Sequence, residues 1–507
     1  MTAKVLMVQG TASSAGKSLL AAALCRIFSQ DGVRVAPFKA QNMALNSFVT
    51  PEGREIGRSQ AVQAEAAGIS PHVDMNPVLL KPERDARSQV IVMGRPWQTL
   101  PATSYYERKQ VLWEQVTAAL ARLRERYELV VIEGAGSPAE INLRESDIVN
   151  MAVARHADAP VLLVGDIDRG GVFASMVGTL VLLEEEERRL IKGLVINKFR
   201  GDVNLFQSGL EMLEQRAGVP VLGVIPYLHD LHVAEEDSVA LEDASAMASV
   251  DGGVDIAVIR LPRISNFDDF DALALEPGAR VRYVNTKREL GRPDAVILPG
   301  TKHTIADLGW LRAQGLSARI VELARQGIAV AGICGGYQML GRSIADASGV
   351  ESPGGAECVG LDLLPVETEF AAAKETHQVW AEVLPGPGFL AAVAGEKVTG
   401  YEIHMGRSQL SGDGARPFLR LTRRSGQPVE SLDGAVDAAG RVWGTYLHGM
   451  FDNTDFRRAW LHSLGWSPPD QKVDLLAVRQ AAYDRLAAAV RSSLDMDRVR
   501  WIAGLGR

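Results

Sequence analysis

The stretch that most constrains this chain is Gly10-Thr-Ala-Ser-Ser-Ala-Gly16-Lys17-Ser18, because it stands between a short apolar run, Lys4–Val8, and a segment with helical apolar spacing, Lys17–Phe28. A glycine-bounded loop in that context turns backbone N–H groups onto phosphates, and the helix N-terminus that follows favours negative charge. Lys17 then reaches the terminal phosphates and the Ser18 hydroxyl can ligate magnesium. Five residues separate Gly10 from Gly16 where the usual loop has four, and Thr11 stands at the four-residue spacing. An acidic partner for the metal is expected at Glu133, which ends the run Leu129–Ile132 and precedes Gly134-Ala-Gly136. Asp166 and Asp168 follow another apolar run, where a role in the crevice and simple turn capping weigh equally. Asn197, after Leu194–Ile196, is a candidate reader of the nucleotide base.

Short β-branched runs (Lys4–Val8, Val33–Pro37, Leu129–Ile132, Val161–Gly165, Leu194–Ile196, Val221–Ile225) alternate with helical segments such as Tyr105–Arg126, the pattern of a parallel sheet covered by helices. Ala217–Ile259 contains no Lys or Arg, and its acidic, small-residue part reads as a linker over 234–253. The alternation restarts with Asp255–Leu261, Val281–Val284, Ala295–Leu298 and Ile328–Ile333, becomes richer in strands over Ala381–Leu447, and closes on an amphipathic helix at Leu475–Leu494. A length of 507 residues suits two to four domains. The expected architecture is α/β: two doubly wound, mainly parallel-sheet domains, 1–233 and 254–460, with a helical tail over 461–507.

Composition excludes several classes. With 54 Lys+Arg against 62 Asp+Glu the net charge is −8, so no general basic surface exists for nucleic acid. Three cysteines (Cys25, Cys334, Cys358), without CxxC or a Cys/His cluster, exclude a disulfide framework and a structural zinc site, and a reducing cytoplasm is expected. No apolar stretch reaches the roughly 18 residues that cross a bilayer. A homo-oligomer is allowed but not required.

A second reactive centre is read at Gly332-Ile-Cys334-Gly-Gly-Tyr-Gln338. A cysteine between a buried strand and a helix sits on a sharp turn that exposes its sulfur, and the glycines around it have no evident packing purpose. Cys25, within a helix, and Cys358 read as structural. The base for a Cys334 thiol is expected at His448, which ends the run Val442-Trp-Gly-Thr-Tyr-Leu-His448.

The five-residue loop and Glu133-Gly-Ala-Gly136 resemble the dethiobiotin synthetase-like branch of phosphate-loop proteins, which activate a carboxylate with ATP. Ala12 stands where partitioning ATPases carry an extra lysine. The pair Gly332-Ile-Cys334-Gly-Gly and Gly444-Thr-Tyr-Leu-His448 resembles class I glutamine amidotransferase domains. That likeness implies attack by Cys334 on the glutamine amide, proton transfer by His448, and an oxyanion hole at the backbone of Gly300 and Gly335. Class I domains commonly carry Glu two residues after the histidine, where this chain has Met450; what orients His448 stays open, Asp452 being merely near in sequence.

Further segments extend the likeness. They are Pro37-Phe-Lys-Ala-Gln-Asn-Met43, Gly57-Arg-Ser-Gln-Ala61, Met75-Asn-Pro77, Gly165-Asp-Ile-Asp-Arg-Gly-Gly171 and Gly400-Tyr-Glu-Ile-His-Met-Gly406. Over nearly its whole length the chain resembles the cobyric acid synthase family. The resemblance implies ATP and Mg2+, L-glutamine as nitrogen donor, and a corrinoid substrate, adenosylcobyrinic acid a,c-diamide, amidated at its b, d, e and g carboxylates. Substrate contacts are expected from Lys39, Gln41, Asn42, Arg58 and Lys81, within a cationic rim that also takes in Arg54, Arg84 and Arg87; Gln60 and Glu65 face either metal or substrate. Rival readings are a cobyrinic acid a,c-diamide synthase, a partitioning-type switch with a vestigial second domain, and a glutaminase regulated by its first domain.

Overall fold

A computed structural model describes residues 2–83, 87–101, 108–229, 231–234, 253–352, 354–467, 469 and 472–506. Arg84 and nearly all of the expected linker 234–253 lie outside the described residues. The chain divides into two compact units: Met1–Ala44 with Ile56–Ala234 and Leu476–Arg507, and Leu45–Glu55 with Glu235–Leu475. Two segments thus depart from the expected boundaries. Residues 45–55 belong to the second unit, and the presumed tail from Leu476 onward completes the first.

In the first unit six parallel strands lie in the spatial order Val221–Pro226, Ile191–Phe199, Val161–Asp166, Lys4–Gly10, Leu129–Glu133, Val35–Phe38. Their middle residues are almost wholly buried, as expected of strands covered by helices on both faces. Lys4–Gly10 lies between Leu129–Glu133 and Val161–Asp166, so the strand order reverses at its carboxyl end and opens a crevice there. The phosphate loop leaves that end. The helix after it, Lys17–Gln30, buries Leu20, Leu24, Ile27 and Phe28, in one cluster with Tyr483, Leu486 and Val490 of the helix Leu475–Ser493. Arg26 and Gln30 both reach Asp484, at 2.8 and 2.7 Å.

The second unit has a sheet in which Ala279–Val284, Val254–Ile259, Ala295–Leu298, Ala329–Ile333 and Val442–Thr445 run parallel; Ala435–Asp437 pairs antiparallel with Val442–Thr445, and Ala415–Arg416 antiparallel with Ala435–Asp437. The strand-rich region forms another sheet around the long pair Val366–Val383 and Lys397–Leu410. Among the described residues no helix is long and apolar enough to cross a membrane.

Candidate active site

In the first unit the loop turns through two left-handed positions, Ser14 (φ 58°) and Gly16 (φ 98°). Glycine is needed at the second, because a Cβ there would lie 2.0 Å from the Asn197 amide nitrogen. That nitrogen donates to the Ala15 carbonyl at 3.0 Å, so Asn197 braces the loop; Lys198 does the same from Nζ to the Ser14 carbonyl at 2.7 Å. Lys17 Nζ donates to the carbonyls of Ala12 and Gly136, at 2.9 and 3.0 Å. Thr11 donates its N–H to Val164, which fixes the loop's first turn against the neighbouring strand.

Glu133 is the buried centre of this site. Its Oε1 accepts from Ser18 Oγ at 2.7 Å and Lys39 Nζ at 2.9 Å, its Oε2 from Gln63 at 2.5 Å and Gln60 at 3.4 Å. Burial pushes the carboxyl up, yet the Lys39 charge and the bonds from Gln63, Lys39 and Ser18 outweigh it and hold it below the usual range. An anionic oxygen beside the Ser18 hydroxyl fits a magnesium-nucleotide ligand pair. Asn150, which the sequence did not flag, grips the next turn: its amide accepts from Ala135 N–H at 3.0 Å and donates to the Ala135 carbonyl at 2.7 Å.

Other expected residues are placed differently from a simple rim. Lys39 is buried in its ion pair with Glu133. Asn42 is buried and donates to Gln60 at 3.0 Å. Lys81 is buried, Gln41 and Arg58 are half-buried, Arg87 is exposed, and Arg54 lies in the segment assigned to the second unit. Glu65 accepts from Tyr483 at 3.2 Å. Asp166 accepts from Asp168 N–H at 2.8 Å and pairs with Lys198, while Asp168 pairs with Arg200, which is the turn-capping arrangement.

In the second unit Cys334 follows the central strand Ala329–Ile333 at φ 51°, a conformation costly for any residue but glycine. The glycines beside it have a steric purpose after all. A Cβ on Gly336 would lie 1.9 Å from the Leu298 carbonyl oxygen, and one on Gly332 2.7 Å from that of Gly336, so they let the helix Gly335–Leu340 pass close to the sheet. Cys25 is fully buried in its helix and burial pushes its thiol far up; Cys358 is half-buried and also shifted up by burial.

The adjacent strand brings the base. Ile333 pairs with Thr445, and Cys334 N–H donates to the Thr445 carbonyl at 2.8 Å, which places His448 just beyond the same sheet edge. Asp433 fixes that turn by accepting from the Thr445 hydroxyl and, at 3.3 Å, from Tyr446 N–H. His448 is buried. Its Nδ1 is 2.6 Å from Asp269 Oδ2, while Asp269 Oδ1 accepts from Gly449 N–H at 2.9 Å. Burial opposes charge on the imidazole, but the Asp269 carboxylate and hydrogen bond, joined by Cys334, push its pKa up to about 10. Asp269 therefore orients His448 from 179 residues upstream, in the turn Phe267–Phe270. Asp452 instead donates its N–H to Gly449. The oxyanion candidates converge here: a Cβ on Gly300 would touch His448 Cε1 at 2.9 Å, and one on Gly335 would meet Thr301 at 2.8 Å.

A thiol, a histidine and a carboxylate in one unit, and a phosphate loop with a buried carboxylate in the other, define a glutamine amidotransferase carried in one chain with a nucleotide-binding synthetase unit. Residues 255–456 match the model of the CobB/CobQ-like glutamine amidotransferase domain, and residues 6–240 that of the CobQ/CobB/MinD/ParA nucleotide binding domain. Among curated proteins, "Cobyric acid synthase" of Dehalococcoides mccartyi (strain CBDB1) is 53% identical over 506 residues, 99% of each chain. Proteins of the same description are 53% identical in Roseiflexus castenholzii, over 100% of both chains, and 55% identical in Sorangium cellulosum, again over 100% of both. The chain belongs to the cobyric acid synthase family. It is an ATP-dependent, amide-forming ligase of cobalamin biosynthesis with a glutamine amidotransferase domain.

Proposed function

We propose that the chain amidates the b, d, e and g carboxylates of adenosylcobyrinic acid a,c-diamide to give adenosylcobyric acid, with ammonia taken from L-glutamine at Cys334 and ATP consumed at the first unit. The observation that carries this reading is the complete set Cys334, His448 and Asp269 in a chain that also holds Lys17, Ser18 and Glu133. Ammonia released by one centre needs an activated carboxylate at the other.

In the second unit Cys334 gives its proton to His448, its Sγ forms a bond to the glutamine side-chain carbonyl carbon, and the donors near Gly300 and Gly335 stabilise the oxyanion. The C–N bond then breaks, and the leaving nitrogen takes its proton from His448, whose charge Asp269 supports. Water, deprotonated by His448, cleaves the thioester to glutamate. In the first unit Lys17 and the loop N–H groups bind the nucleotide phosphates, while Ser18 and Glu133 would hold Mg2+, which would supply charge neutralisation at the phosphates. A substrate carboxylate oxygen bonds to the γ-phosphorus of ATP as ADP leaves, and ammonia then attacks the carbonyl carbon of the acyl phosphate, releasing phosphate and a proton. Lys39, Gln41, Asn42, Arg58 and Lys81, in or beside the segments that surround Glu133, are the proposed corrinoid contacts.

The test uses Cys334→Ser with two nitrogen sources. Glutamine-dependent amidation is lost, while ammonia at high concentration still supports ATP-dependent amidation of the corrinoid, followed by chromatography of the amides. Loss of both activities would sink the assignment of Cys334 as the nucleophile.

A further inference from the structure

We propose that Asn266 is a positioning residue of the glutaminase site, and that the strap Leu45–Glu55 holds it in place. The inference rests on the reading of Cys334 and His448 given above. Asn266 is buried (1% exposed) and left-handed, at φ 53° and ψ 44°, at the start of the turn that carries Asp269. Its side chain faces two ways. Nδ2 donates to the Tyr401 hydroxyl at 3.0 Å, and Oδ1 accepts from the Ser47 N–H at 3.2 Å. Its own carbonyl accepts from Asp269 N–H at 3.2 Å.

Both groups next to Asn266 hold the imidazole. Asp269 bonds Nδ1 at 2.6 Å. The Tyr401 ring stacks on the imidazole at 5.1 Å with 17° between planes, and the Tyr401 and His448 backbones exchange hydrogen bonds of 3.1 and 2.8 Å. Asn266 is therefore the residue through which the edge and the face of His448 are fixed together.

The strap is seated firmly in the second unit. Asn46 Oδ1 accepts from Phe267 N–H at 3.4 Å, beside the Ser47 contact. Val49 is fully buried with Tyr401 and Ile403, and Gln378 donates to the Val49 carbonyl. At the far end Glu55 and Lys374 form a buried ion pair of 2.5 Å. Both chain ends of the strap lead into residues of the first unit, the strand Gln41–Met43 and the helix Arg58–Ala66, the latter carrying the Gln60 and Gln63 that hold Glu133. A segment interrupting the synthetase sequence thus completes the support of the glutaminase histidine.

A left-handed asparagine can also be a mere turn former, and Asn266→Gly separates the two roles, since glycine adopts that conformation freely but has no amide. Positioning predicts that Asn266→Gly lowers kcat for glutamate release about 100-fold, as expected for a displaced catalytic group, with KM for glutamine within about twofold of the parent enzyme. Ammonia-supported amidation stays at the parent rate. Asn46→Ala, which removes a strap contact, lowers the same kcat about tenfold. A parent-like kcat in Asn266→Gly, a change confined to KM, or an equal fall in ammonia-supported amidation each overturns the proposal. Cys334→Ser distinguishes the underlying reading: if that variant still released glutamate at the parent rate, the glutaminase assignment would fail, independently of Asn266.

Discussion

The two reactive centres share one design, a functional side chain on the turn between a buried parallel strand and a helix, and they handle backbone strain in opposite ways. In the phosphate loop the left-handed positions, Ser14 at φ 58° and Gly16 at φ 98°, precede the working residue Lys17, which is itself in relaxed helix. At the elbow the strained position, φ 51°, is Cys334 itself. Strain there is of the order of 1–3 kcal/mol and persists only where surroundings over-determine the geometry; here the surroundings are the glycines that let the helix close on Leu298. Electrostatics differ in parallel. Glu133 is kept anionic by donors from three segments, those of Ser18, Lys39 and Gln63, whereas His448 is kept cationic chiefly by one carboxylate, Asp269, joined by Cys334.

This contrast can be broken most sharply at Lys17. Lys17→Ala removes ATP-dependent amidation with either nitrogen source while glutamate release by the second unit continues; ammonia-dependent amidation that survived would refute the role of the loop. Next in size is Asp269→Asn, where a wrongly held imidazole lowers kcat for glutamate release by about 10³–10⁴-fold. The groups facing His448 are Asp269, Cys334 and the Tyr401 ring. Asp269 keeps the imidazolium charged up to about pH 10, so its neutral replacement lets burial lower that value. Protonation of the departing nitrogen then fails at lower pH, and the alkaline limb of the residual kcat profile moves down; an unmoved limb would deny Asp269 its electrostatic part. The smallest effect is steric. Gly336→Ala puts a Cβ against the Leu298 carbonyl and costs about 1–3 kcal/mol of stability in urea unfolding, together with a fall in glutamate release as the elbow shifts.

What could be read from the residues alone follows the same division. Lys17 and Ser18 are legible because they close a glycine-bounded loop between a strand-like run and a helical one, and Glu133, Cys334 and His448 because each ends or follows an apolar run with diagnostic glycines beside it. Asp269 is not, since its role depends on which strands lie side by side, a non-local fact. A signal existed: Asn266-Phe-Asp-Asp-Phe270 follows the strand Val254–Ile259, on the side of the sheet where ligands gather. The burial of Lys39 against Glu133 was equally hidden, because a lone lysine after a strand reads as surface charge until its partner is placed. The strap Leu45–Glu55 escaped for a related reason. Periodicity marks elements, but the unit to which a short segment belongs is settled by contacts such as Glu55 with Lys374.

The closing helix Leu475–Ser493 has a consequence for how such a chain is made and divided. Its residues cover the helix that follows the phosphate loop, Asp495 N–H bonds the Leu222 carbonyl, and Arg491 and Arg500 both reach Asp31. During synthesis the glutaminase residues 235–475 therefore leave the ribosome before the nucleotide-binding unit has received its last layer. A gene split between residues 234 and 253 would yield an N-terminal product with an uncovered apolar face, so separation of the two activities requires the closing helix to be moved as well as the chain to be cut.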